Sequence, residues 1–183
     1  LEREPCPDLI VVMVQKEVAE RIVASPGQMS MLSVMVQYYG KPEIVVIVPR
    51  TSFWPEPEVD SAILRIRMKR REENMDEKKF FQLVKIGFSS RRKQLQNNLA
   101  AGFHISNDEA KSRLQAAGFD SKIRAEDLSV EDWRRREPGE PSISAFMGTP
   151  ADRRAATAAS MSFTAAVKWL TLYPLSRTQA ANW

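Results

Sequence analysis

VPRTSFWPEPEVDSAILRI (residues 48–66) sets Pro49, Pro55 and Pro57 and an adjacent Phe53-Trp54 pair ahead of an alternating run. Residues 61–69, SAILRIRMK, interleave Ile63, Leu64, Ile66 and Met68 with Arg65, Arg67 and Lys69, as a strand with one wet face does. Residues 43–48, EIVVIV, are short, apolar and β-branched, and read as a second strand. The proline loop therefore joins two strands. Pro55 and Pro57 fix their own φ and restrict Trp54 and Glu56 before them, so we expect an extended, stiff loop. Loop aromatics commonly cap a core. A stiff loop also suits a ring that must stay in place when a partner arrives.

Upstream, residues 9–14, LIVVMV, form a continuous apolar run and read as a strand buried on both faces, as in a parallel sheet. Residues 15–25 carry Val18, Ile22 and Val23 at helical spacing, and Pro26-Gly27 ends them. Residues 30–39, SMLSVMVQYY, fit a buried helix or a strand; helix is favoured because the strand at 43–48 needs a crossover before it.

After Arg71 the pattern turns helical. Phe80, Phe81, Val84 and Phe88 share one face of a helix over residues 76–88, with Asp76 as N-cap. A helix over 91–101 turns Leu95 and Leu99 inward and ends before Gly102. Ser106 and Glu109 have capping-box spacing and open a helix to about Ala117, and Ser129 caps a last one. Three segments result: an α/β part over 1–71, a small all-helical module over 72–137, and an Ala/Ser/Thr-rich tail over 138–183 that carries no motif and reads as disordered.

The formal net charge is +4 and the pI about 9.3. The excess is small, so its distribution matters more. Arg65, Arg67, Lys69, Arg70 and Arg71 form one cluster, and Lys85, Arg91, Arg92 and Lys93 another. Each suits phosphate binding or a solvated face. The single cysteine, Cys6, excludes an intrachain disulfide and fits a reducing, cytoplasmic setting. No apolar run reaches the roughly 18 residues that span a bilayer. His104, the only histidine, has no Cys or carboxylate cluster around it in the sequence, so no metal site is expected.

Five phrases in order and register then point to one family: MVQKEVAERIVASPG (13–27), LSVMVQYYG (32–40), VPRTSFWPEPEVDSAILRI (48–66), FSSRRKQLQNNL (88–99), and AGF with IRAEDLSVEDW (117–133). Over residues 7–135 the chain resembles the ribosomal RNA adenine dimethyltransferases. The resemblance implies a doubly wound, Rossmann-like α/β methyltransferase sheet followed by a small helical RNA-binding domain. Residues 9–14 would be its fifth strand, and 43–48 with 61–69 its closing antiparallel pair. It implies S-adenosylmethionine as cofactor, ribosomal RNA and the small ribosomal subunit as partners, no membrane or metal, and a monomer. The family's glycine-rich cofactor loop and its Asn-Leu-Pro-Tyr motif have no match here. The chain accordingly reads as the back part of such an enzyme, with no cofactor-binding residue of its own.

Within the family the loop Phe faces the target adenine, which here is Phe53. An adenine amino group is methylated only when its base is out of the stack, and a ring under the extruded base contributes on the order of 1–3 kcal/mol. The amino lone pair attacks a methyl sulfonium directly, so positioning outweighs general-base chemistry. Trp54 stands at a variable family position and is expected to pack. The resemblance gives Arg91, Arg92 and Lys93 to RNA phosphates. Three cations at a helix start oppose the helix dipole, which favours a functional reason for them. Lys16, directly after the first strand, is a further RNA-binding candidate; the alternative is a surface set with Glu20 and Arg21. Asn97 is expected to be structural. Three readings remain open at this stage: part of an rRNA adenine dimethyltransferase inactive by itself, a non-catalytic rRNA-binding module, and a product that does not fold stably because strand edges are exposed.

Overall fold

A computed structural model describes residues 7–69 and 77–134. Asp76, Cys6, Arg70, Arg71 and the 138–183 tail lie outside the described residues. The first part runs β1 (Leu9–Gln15), α1 (Lys16–Ile22), α2 (Met31–Tyr39), β2 (Gly40–Val48) and β3 (Ser61–Met68). The second runs α3 (Glu77–Gly87), α4 (Leu95–Phe103), α5 (Asn107–Ala116) and α6 (Val130–Trp133).

The last strand in sequence is central in space. The sheet order is β1-β3-β2, with both pairings antiparallel. Val12 and Ile44 both face Leu64, and Met13 and Val46 both face Ile63; the register of β2 shifts at Val45. Such a bulge leaves one residue unpaired. Ala62, Leu64 and Ile66 of β3 point inward onto Val18, Ala19 and Ile22 of α1 and Val36 of α2. The period of two read from the sequence thus sorts β3 as expected.

It fails for β1. Leu9, Val11 and Met13 are 50%, 57% and 55% exposed, while Ile10, Val12 and Val14 pack on the sheet core. The strand is antiparallel and covered on one face only. Continuous hydrophobicity signals two buried faces, but among the described residues no layer covers the second. With Val46 these side chains form an apolar outer row, flanked by the Arg65–Glu43 ion pair.

Two polar side chains of α2 lock the first helical pair. Ser30 caps α2 and is reciprocated by Ser33. The Ser33 hydroxyl donates to the Arg21 carbonyl at 2.5 Å, and Gln37 Nε2 donates to the Ile22 and Ala24 carbonyls at 2.9 Å each. The free carbonyls at the end of α1 are satisfied in this way. Helix α2 also has a second face. Val34 and Tyr38 join Phe80, Leu83 and Val84 of α3, Leu95, Leu99 and Phe103 of α4, and Trp133 of α6 in one core. The Tyr38 and Phe80 rings lie 4.4 Å apart.

Helix boundaries differ from expectation in one informative place. Helix α4 starts at Leu95, so Arg91, Arg92 and Lys93 occupy the turn before it rather than its first turn. The three cations thus stand just before the N-cap Gln94 and outside the helix itself. Gly102 lies inside α4, and His104 ends it in the left-handed conformation at φ 56°. Ser106 and Ser129 cap α5 and α6 as expected, and Ser129 exchanges bonds with Asp132.

Candidate nucleic-acid interface

The loop between β2 and β3 is braced by more than its prolines. A 3₁₀ turn over Arg50–Ser52 is closed by Ser52 N–H donating to the Pro49 carbonyl at 3.0 Å, and Phe53 N–H donates to the Arg50 carbonyl at 3.2 Å. The Asp60 carboxylate accepts the Arg50 N–H at 3.0 Å, and the Arg50 guanidinium pairs with Glu56 at 3.0 Å. The Trp54–Pro55 peptide is cis. The loop is therefore folded back on itself rather than extended throughout; local hydrogen bonds and an ion pair override the simple proline expectation.

Phe53 is half-buried at this bend. It is neither fully buried nor fully exposed. Trp54 is 97% exposed, which corrects the expectation that it packs. The bend places the two adjacent side chains in different surroundings, Phe53 half-buried and Trp54 in solvent.

The backbone N–H of Lys16 donates to the Asp60 carbonyl at 2.9 Å. Asp60 thus ties the start of α1 to the loop that carries Phe53, and half-buried Lys16 stands at that loop's root. Arg91, Arg92 and Lys93 are exposed on the α3–α4 turn, far from Lys16 in sequence. The turn is closed by Lys93 N–H donating to the Ser90 carbonyl at 3.1 Å. Its support comes from a residue that the sequence reading missed. Asn98 of α4 is 3% exposed and donates its side-chain amide to the Gly87 and Ser90 carbonyls at 2.5 and 3.1 Å. A polar residue one turn after Leu95 on an apolar helix face was the available signal, because buried amides need partners. Its neighbour Asn97 donates its backbone N–H to the Gln94 carbonyl at 3.1 Å.

A cradle for S-adenosylmethionine needs a strand, a glycine-rich turn and a helix start. Here β1 runs into α1 through Gln15 and Lys16 with no glycine between them. Gly27 and Gly118 have positive φ, and each lies in a turn that follows a helix. The described residues do not fit that cofactor, so no step is derived through it. Among the described residues no three His, Cys, Asp or Glu side chains group as metal ligands, and no helix is long and apolar enough to cross a membrane.

Comparison with known proteins bears on this geometry. Residues 2–137 match the family described as ribosomal RNA adenine dimethylase. The chain is 44% identical over 136 residues to the ribosomal RNA small subunit methyltransferase A of Dehalococcoides mccartyi strain 195, covering 73% of this chain and 47% of that protein. It is 45% identical over 128 residues to the protein of the same name from Clostridioides difficile strain 630, covering 68% and 44%. The chain thus spans about half the length of the curated relatives it matches. Among solved structures it is similar to a dimethyladenosine transferase from Plasmodium falciparum, with TM-score 0.59 and 25% identity over 72% of this chain and 57% of that one. It also shares the fold of the 23S rRNA methyltransferase ErmE, with TM-score 0.53 and 24% identity over 70% and 53%. These likenesses bear out the α/β fold class, a methyltransferase-type sheet portion followed by helices. By sequence match, length of match and fold together, the chain belongs to the ribosomal RNA adenine dimethylase family.

Proposed function

We propose that the chain supplies the substrate-holding part of an S-adenosylmethionine-dependent rRNA adenine N6-dimethyltransferase acting on small-subunit ribosomal RNA. The observation that carries this reading is Phe53, held half-open on a loop pinned through Arg50, Glu56 and Asp60. A ring fixed before binding loses little freedom when a base stacks on it, so more of the stacking energy remains. Lys16 at the loop root and Arg91, Arg92 and Lys93 on the helical module hold phosphates of the same RNA, which positions the strand without reading its sequence.

The chain does not transfer methyl groups alone. The described residues include no donor cradle, and methyl transfer requires the donor beside the extruded base. In isolation the chain is a monomeric rRNA-binding module, and its setting is cytoplasmic. The second reading, binding without chemistry, is favoured for the isolated chain because the described residues supply no glycine-rich strand–turn–helix.

The test is transfer of tritiated methyl from S-adenosylmethionine to small ribosomal subunits, run beside RNA binding to the same particles. Binding without incorporation is the expected result. Robust incorporation by the chain alone would refute the division of labour, and absence of binding would refute the RNA role.

A further inference from the structure

Asn98 is buried, and a leucine, which branches the same way, would supply neither of its hydrogen bonds. Both of its amide hydrogens are committed to main-chain carbonyls, those of Gly87 and Ser90. Because both partners are acceptors, only the orientation that presents the NH₂ group satisfies them. Gly87 ends α3, and its carbonyl is one that no helical N–H reaches. The Ser90 carbonyl receives two donors, Asn98 Nδ2 and Lys93 N–H. The second bond closes a four-residue turn over residues 90–93, whose two central residues are Arg91 and Arg92.

Both ends of the segment are anchored independently. Gly87 lies so close to Trp133 that a Cβ there would come within 2.3 Å of the ring. Leu95 N–H donates to the Ile123 carbonyl at 2.8 Å. Between these anchors Phe88 stacks near Trp133 and Ser89 N–H bonds the Ile86 carbonyl, and the Asn98 amide holds the turn at Ser90 from within the core. Three adjacent cations repel one another, and repulsion favours splayed backbone conformations unless something holds the turn.

We infer that Asn98 is a positioning residue of the RNA-binding surface: it fixes the turn over residues 90–93 so that Arg91, Arg92 and Lys93 meet successive phosphates of an RNA strand together. The inference rests on the proposed RNA-binding role of this turn. An RNA strand is the ligand chemistry favoured, since it repeats its phosphates at a short, regular interval.

The experiment uses the full chain and a fluorescent small-subunit rRNA hairpin, titrated at several salt concentrations. Replacing Arg91, Arg92 and Lys93 by alanine removes up to three phosphate contacts and should lower the slope of log K against log salt by about 2–3. Asn98→Leu leaves the charge unchanged. It should nonetheless weaken binding about tenfold and lower the slope by about 1, because one cation or more no longer reaches its phosphate. A merely structural Asn98 would alter the melting temperature and leave the slope of the folded protein at its wild-type value. Ser90→Gly keeps Asn98, the carbonyl and every charge but loosens the turn; it should shift binding in the same direction by a smaller factor. Folded Asn98→Leu with wild-type slope overturns the inference, as does wild-type binding by Ser90→Gly if Asn98→Leu does not fold. Wild-type binding by the triple alanine variant overturns the RNA role of the turn itself.

Discussion

Replacing Gly87 by alanine puts the close fit of α3, α4 and α6 to a direct test. A Cβ built at Gly87 lies 2.3 Å from Trp133 Cη2, 3.1 Å from Cζ3 and 3.2 Å from Leu95 Cδ1. Carbon atoms prefer about 3.5–4.0 Å, so the indole would have to retreat by more than an ångström. Trp133 and Leu95 are fully buried, which leaves the ring no empty direction. Overpacking of this kind costs about 1–3 kcal/mol. Alanine regains at most about 1 kcal/mol of helix propensity, and less at the last residue of a helix. The net expectation is a loss of about 1–2 kcal/mol, or roughly 2–8 °C in the melting midpoint of a protein this size. Gly102→Ala is the matched control. Its Cβ would meet Ile86 Cγ2 at the same 2.3 Å, with Cγ1 at 3.0 Å and Cβ at 3.1 Å, so the α3 backbone has to give there too; but Ile86 is half-exposed where Trp133 is fully buried, so the yielding costs less. Thermal denaturation followed by circular dichroism should therefore rank Gly87→Ala well below Gly102→Ala. A Gly87→Ala protein as stable as wild type, or the reverse ranking, would refute the packing argument.

Other outcomes follow from the same geometry. Ser30→Ala removes the α2 cap and its exchange with Ser33, and urea denaturation should report a loss of about 1 kcal/mol. Met13→Glu places a charge on the uncovered outer row and should change stability by no more than about 0.5 kcal/mol; a large loss would mean that this face is packed. Phe53→Ala should weaken binding of an rRNA hairpin carrying unpaired adenines by about 5- to 150-fold, the range that stacking of one base contributes. The same substitution should leave binding of a fully paired duplex unchanged, and equal losses on both would count against base stacking. Trp54→Ser should leave the melting temperature unchanged, since the ring is almost wholly in solvent.

Much of the architecture was legible before any coordinates. Alternation over residues 61–69 identified the strand that proves central, because side chains in a pleated strand alternate faces whatever surrounds them. Ser106 and Ser129 announced their helices because a cap is a local arrangement of four residues. The five family phrases singled out Phe53 and the Arg91–Arg92–Lys93 triplet, the place directly after the first strand singled out Lys16, and in the structure the Phe53 loop meets the start of α1 through Asp60.

The remainder depended on partners distant in sequence. LIVVMV states that β1 is apolar, but whether one face or two are covered depends on which layers pack against it. Arg91 to Lys93 looked like the opening of a helix by spacing; the turn wins because the Asn98 amide, seven residues on, reaches back to Ser90 and because Leu95 N–H is held by Ile123. Trp54 and Phe53 are neighbours with similar side chains, and only the folded loop separates one toward solvent from one against the protein. Local periodicity and capping are short-range consequences of backbone geometry, so the chain encodes them residue by residue. Exposure, and with it the presentation of a ring or a cation to a ligand, is set by long-range packing and exists only once the tertiary structure has formed.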